Sequence, residues 1–208
     1  MKFYILASLI IFSMVINHNV RKSRKIQATE EKRYQERERL ANQTRRKPLD
    51  GLDYIKIPLE HLPMHLLEED EKVAECLRMI QELSQHPIVN LTGFSNTDLK
   101  LEYGTANITV LTEYDQNYTL LVSTLQQWAD LLYRADQTEA AREILEFAVN
   151  TRTDVSRTYD LLSDIYIKNG QRDKIPELMN TAESLNSLNR EVILRHLRER
   201  ADGSESDR

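Results

Sequence analysis

Equivalent side chains return every 34 positions in the C-terminal half of this chain. Residues 122–155 place Leu125, Trp128, Ala129 and Leu132 at helical spacing, break at Asp136, then place Ala141, Leu145 and Ala148. Residues 156–189 repeat the scheme with Tyr159, Leu162, Ser163 and Tyr166, a break at Gly170, then Ile175, Met179 and Ala182. Large residues fall on large ones and small on small, save that Ile175 falls on Ala141. A fixed period of this length marks stacked supersecondary units, each too small to bury its own apolar face. Two antiparallel helices approach closely only where small side chains meet a partner. Here that means Ala129 with Ala141 and Ser163 with Ile175, the larger residues filling the flanking gaps.

The order large, Leu, small, aromatic, turn, then Ala, large, Ala resembles the tetratricopeptide repeat over residues 122–189. The resemblance implies an all-α fold of helical-hairpin repeats that acts by binding. Three positions depart from the family pattern. Asp136 replaces a turn glycine, Ile175 replaces a small residue, and Thr153 stands where proline is usual. The second unit is therefore expected to be the less regular. About three repeats are needed for a stable stack, so flanking helices must contribute. Residues 190–200 predict a capping helix, with Leu188, Val192, Leu194 or Arg195, and Leu197 near one stripe and polar residues outside. Residues 201–208 read as a disordered tail on composition. The body is also similar to membrane-anchored helical proteins of clostridia-type bacteria, a likeness that implies no activity.

Residues 51–121 read as a helical flank. Val73, Cys76, Leu77, Ile80 and Leu83 sit at helical spacing within residues 69–85, and acidic residues 68–71 suit a helix start. Ser95 and Asp98 have the spacing of a capping box that opens a short helix ended by Gly104. Residues 106–114 fit both periods. Helix is preferred, because residues 54–58 are the sole candidate for a pairing strand.

At the other end, residues 3–16 are an apolar run interrupted only by Ser and Ala. Extended to Val20, the run spans about 27 Å as a helix, slightly short of a bilayer core of about 30 Å. No small-x-small cleavage site follows it. Arg21, Lys22, Arg24 and Lys25 follow at once and mark the cytoplasmic flank. Residues 1–20 therefore predict an uncleaved single-pass anchor in the cell membrane, N-terminus outside and body cytoplasmic. The alternative is a cleaved signal ahead of a secreted or surface domain that binds a ligand or catalyses a reaction. Residues 21–50 predict a basic, polar helical stalk without an apolar face, broken at Pro48 and Gly51, and the four cations at its start are candidates for anionic lipid headgroups. Asn42, Asn90, Asn107 and Asn117 head glycosylation sequons, a short pattern that would meet no glycosylating enzyme in a cytoplasmic body.

Charge is divided unevenly. Residues 1–50 hold 12 Lys/Arg against 5 Asp/Glu, whereas residues 51–208 hold 16 against 28. So acidic a body argues against nucleic acid. One Cys excludes a disulfide framework or a multi-thiolate zinc site. On an apolar stripe, Cys76 reads as core. His61 and His65 lie four apart, but Pro63 separates them and no third ligand is evident, so no metal is expected. No phosphate loop or nucleophile elbow is present, and neither enzyme activity nor a cofactor is expected.

The expected function is that of a scaffold or adaptor for a protein or peptide, with self-association into a homo-oligomer open. The inner face of a repeat stack comes from the first helix of each unit: Gln126, Asp130 and Tyr133, then Asp160, Asp164 and Ile167. Chaperone-binding members of the family place Lys, Arg and Asn there to clamp a carboxylate. Asp130, Asp160 and Asp164 would repel one, which points to a basic or apolar peptide; the alternative is that these carboxylates are simply solvated surface.

Overall fold

The computed structural model describes residues 2–203, with side chains from Val20 onward. Among the described residues there are eight α-helices and no β-strand: α1 (Lys2–Gln43), α2 (Glu71–Leu83), α3 (Asn96–Tyr103), α4 (Ile108–Arg134), α5 (Thr138–Asn150), α6 (Ser156–Lys168), α7 (Ile175–Glu183) and α8 (Arg190–Asp202). The fold is all-α. The predicted anchor falls on residues whose side chains lie outside those described. Among the described residues no helix is long and apolar enough to cross a membrane.

The chain divides into two units. The first comprises the chain through Pro48 together with Ser95–Ile108. Within it α1 remains helical through a polar stretch because its own side chains brace it. Arg33 pairs with Glu30, Arg39 with Glu36, and Gln35 bonds Glu31, each one helical turn apart. The helix ends at Gln43, before the expected break at Pro48. From Arg37 onward α1 is no free spacer: it packs against α3 through polar contacts. Arg37 pairs with Asp98, and Glu38 accepts from both Lys100 and Thr97. Ala41 is wholly buried. Buried Asn107 donates to the carbonyls of Lys47 and Tyr103 (both 2.8 Å) and accepts from Arg46 (2.9 Å). A search for apolar stripes passes over such a joint, since it is built almost wholly of charge and amide. The capping box at Ser95 is formed, and Gly104 ends α3.

The second unit comprises Leu49–Phe94 and the chain from Thr109 on. On α2 the five predicted apolar residues are the buried ones, and Asp70 caps the helix by accepting from the N–H groups of Lys72 and Val73. Residues 106–114 are helical, as preferred: a short 3-10 turn, Thr105–Asn107, runs into α4. Tyr54 makes a lone antiparallel bridge elsewhere, to Val89.

The 34-residue spacing has a physical counterpart in the turns. Asp136 (φ 59°) and Gly170 (φ 72°) both adopt the left-handed conformation. The N–H of Gln137 then reaches Leu132 O (2.9 Å), and the N–H of Gln171 reaches Tyr166 O (2.7 Å). Both are the long bond of a Schellman helix end. The same spacing separates the first residues of α6 and α8. Every aligned residue of both sequence units is buried except Met179, which is half-buried. Thr153 fixes the entry to α6 with two bonds. Its hydroxyl accepts the N–H of Val155 (3.2 Å) at the entry to α6, and its carbonyl accepts from Tyr159 (2.9 Å). Of the two 34-residue segments the later has the shorter closing helix: α7 has 9 residues against 13 in α5, with Pro176 in its first turn.

Two expectations at the C-terminus are corrected. Leu188 is 99% exposed, because it precedes the start of α8 and helical spacing does not reach it; Ile193 is buried instead. Ala201 and Asp202, expected in a disordered tail, are helical, and Gly203 bonds back to Glu199 O (3.0 Å). Residues 204–208 lie outside the described residues. Glu191, Arg195, Arg198 and Glu199 are exposed on α8, giving it the polar outer face of a terminal unit.

Candidate functional site

The six inner-face residues are distributed over two sets of helix-to-helix contacts. Gln126 and Asp130 on α4 reach α6. Gln126 accepts from Thr158 (2.8 Å), while its Nε2 is buried without a partner. Asp130 accepts from Arg157 (3.0 Å). Tyr133 carries the Lys168 ammonium 5.8 Å above its ring. Asp160 and Asp164 on α6 reach α8. Asp160 faces Arg200 (2.9 Å) and His196 (3.1 Å), and Asp164 accepts from Arg200 Nε (2.8 Å). Burial disfavours charge on Arg200, but its bond to Asp164 and the charge of Asp160 outweigh that and hold its pKa above the ordinary value. Ile167 is half-buried.

These carboxylates are therefore already engaged. A cationic peptide side chain would have to displace Arg157 or Arg200 to reach them. Sequence reasoning missed Arg200 and His196 because α8 reads as a cap judged only by its apolar stripe. The spacing held a signal: Arg200 lies 34 positions beyond Tyr166.

A second polar cluster joins α5, α6 and the start of α7. Burial pushes the Glu146 carboxyl up, yet bonds from Tyr166 (2.8 Å) and Arg142 (2.7 Å), with the charges of Arg142 and Lys174, leave it below its ordinary value. It is a structural hub with no free reacting group.

The ends of the second unit's helices enclose a depression that no single motif announced. A cleft of about 430 Å³ lies between residues 53–56, the loop through Asn90 and Phe94, the end of α5, and residues 184–187. Asn90 holds the loop in place: its Nδ2 faces the Tyr118 hydroxyl (2.9 Å) and the carbonyls of Thr151 and Arg152 (both 3.1 Å). Gly93 (φ 90°) lies against Asn186 so closely that a Cβ would collide with its side chain and carbonyl.

Cys76 is buried, and burial pushes its thiol pKa up, the opposite of a reactive cysteine. His61 and His65 are exposed, the latter 3.5 Å from Glu68. Among the described residues no three His, Cys, Asp or Glu side chains group as metal ligands. Arg21, Lys22, Arg24 and Lys25 are exposed on α1 and make no ion pair among the described residues. No protein-family model, curated protein or solved structure matches the chain.

Proposed function

We propose that the protein is a single-pass, membrane-tethered platform of tetratricopeptide-like hairpins that binds a protein or peptide and performs no catalysis. The observation that carries this reading is the paired left-handed turn at Asp136 and Gly170, with its matching bonds one period apart. Equivalent helix ends at a fixed spacing are what a stacked binding module requires. In this reading residues 1–20 form the anchor with its N-terminus outside, and α1 continues as the stalk. The unpaired collar of Arg21, Lys22, Arg24 and Lys25 meets anionic headgroups on the cytoplasmic side, at about 1 kcal/mol per cation. The inner-face positions Gln126, Asp130, Tyr133, Asp160, Asp164 and Ile167 border the partner.

The test uses the full chain in its own membranes. Alkaline extraction should leave it in the membrane with its N-terminal residues intact, and protease added outside intact cells should spare the body. A photo-cross-linking residue at Tyr133 should capture a discrete partner. Loss of the first twenty residues from the mature chain, or digestion of the body in intact cells, would refute the topology.

A further inference from the structure

The cleft beside Asn90 continues past Gly93. A second depression of about 650 Å³ shares Thr92, Asn186 and Ser187 with the first and runs on to Leu188. Together they form one trough within the second unit, of a size with ligand-binding clefts. We propose that this trough is a docking groove for an extended peptide carrying an apolar residue flanked by Asp or Glu. The proposal rests on the reading of the body as a binding platform, but not on the tether or on the inner-face residues.

Four features of the trough select that occupant. Its lining includes exposed carboxamides. Asn90 and Asn189 spend theirs inside the chain, whereas the side chains of Asn150 and Asn186 make no hydrogen bond among the described residues. A carboxamide donates and accepts at once, as a peptide unit does, so the pair suits a backbone. An extended segment exposes those backbone groups; a helix consumes its own. The trough is also flanked by apolar surface left in water, Phe94 at 50% exposure and Leu188 at 99%, with Phe147 lining the cleft. An apolar side chain lodged there gains burial without disturbing the core.

Charge supplies the third and fourth features. On a body with a large excess of acid, the first depression carries exposed Lys56 and Arg152, neither of which forms an ion pair among the described residues, against the single acid Asp53. In the second, Asp154 accepts from Ser187 (2.5 Å) and Arg190 is paired with Glu191. A basic segment would be drawn to the acidic remainder of the body, and an acidic one toward this trough. The groove also depends on a position that only glycine fills. Gly93 lets two loops touch at the point where the two depressions join.

Fluorescein-labelled short peptides with Leu or Phe at the centre test this, one set flanked by Asp and Glu and a matched set flanked by Lys and Arg. Anisotropy is read against the full chain in detergent micelles. The acidic set should bind and the basic set should not. Lys56→Glu/Arg152→Glu and, separately, Phe94→Ser should each weaken binding roughly tenfold or more. Thermal unfolding should scarcely move, because all three side chains are exposed. Better binding by the basic set, no binding by either, or binding indifferent to both variants would overturn the proposal. A photo-cross-linking residue at Asn186 and one at Tyr133 separate the two readings. Capture at Tyr133 alone refutes the trough and leaves the platform standing; capture at neither removes both.

Discussion

Gly170 and Gly51 offer a matched pair of substitutions. A Cβ added at either meets nothing within 4 Å, so neither Gly170→Ala nor Gly51→Ala creates a clash. Both remove similar conformational freedom from the unfolded chain, which by itself stabilises by about 0.4–1 kcal/mol. They differ in backbone. Gly170 sits at φ 72°, whereas Gly51 is not left-handed. An L-residue in that conformation costs roughly 1–2 kcal/mol. Gly51→Ala should therefore be neutral or slightly stabilising. Gly170→Ala should be destabilising by the conformational cost less the entropic gain, a net of about 0.5–1 kcal/mol. The difference between the two variants, free of the shared entropic part, is about 1–2 kcal/mol, or roughly 2–8 °C in Tm for a domain of this size.

Asp136→Gly completes the test at the equivalent turn. Asp tolerates the left-handed region better than most residues, so relief there is smaller and is largely cancelled by the added freedom of the unfolded chain. A change within about 0.5 kcal/mol is expected. Urea unfolding of the full chain in micelles, followed by the single Trp128, gives all three values. Equal effects of Gly170→Ala and Gly51→Ala would show that the turn at 170 is not left-handed. The correspondence with Asp136, and with it the paired helix ends, would then fail.

Two further outcomes follow from the packing and the joint. Trp128→Ala should destabilise by about 3–5 kcal/mol, because the ring is wholly buried and its indole N–H has no partner to lose; a change under about 1 kcal/mol in urea unfolding followed by circular dichroism, since the variant lacks the only Trp, would place the ring outside the core. In the joint of α1 with α3, the bonds from Lys100 and Thr97 hold the Glu38 carboxyl below its ordinary pKa, and those from Ser95 lower that of Asp98. Carboxyls with lowered folded-state pKa contribute stability that is complete above the ordinary carboxylate range and lost as pH falls through the folded value. Hydrogen-exchange protection of the Lys47 N–H, bonded to Tyr103 O, should therefore hold from neutral to mildly acid pH and fall in strong acid. Loss on the alkaline side would contradict that sign.

Helices of the second unit were legible in the sequence because apolar periodicity reports burial directly. Val73 to Leu83 and Leu125 to Leu132 are buried where their spacing puts them. The capping box at Ser95 was legible for a similar reason, as its chemistry is local. What stayed hidden depends on register between distant segments. The pairing of Arg37 with Asp98, or of Arg200 with Asp160, requires knowing which helix turns face each other, and charged residues on a polar surface carry no period that reveals it. Leu188 failed for the opposite reason. Its helical spacing was counted past the point where the helix begins.

The engaged carboxylates of α6 change what the inner face can offer. In the sequence Asp130, Asp160 and Asp164 read as free acid awaiting a partner. In the fold Asp130 meets Arg157, and Arg200 bridges Asp160 and Asp164 from α8. Such half-exposed pairs are individually worth about 0–1 kcal/mol, so they fix register more than they stabilise. Binding there would exchange one ion pair for another and gain little. The exposed Lys56, Arg152, Phe94 and Leu188 would give up only water and side-chain freedom on binding, with no internal bond to break. On the proposals above, the loops around Gly93 and Asn186 would therefore add more to affinity than the acids of the inner face, which would chiefly set register.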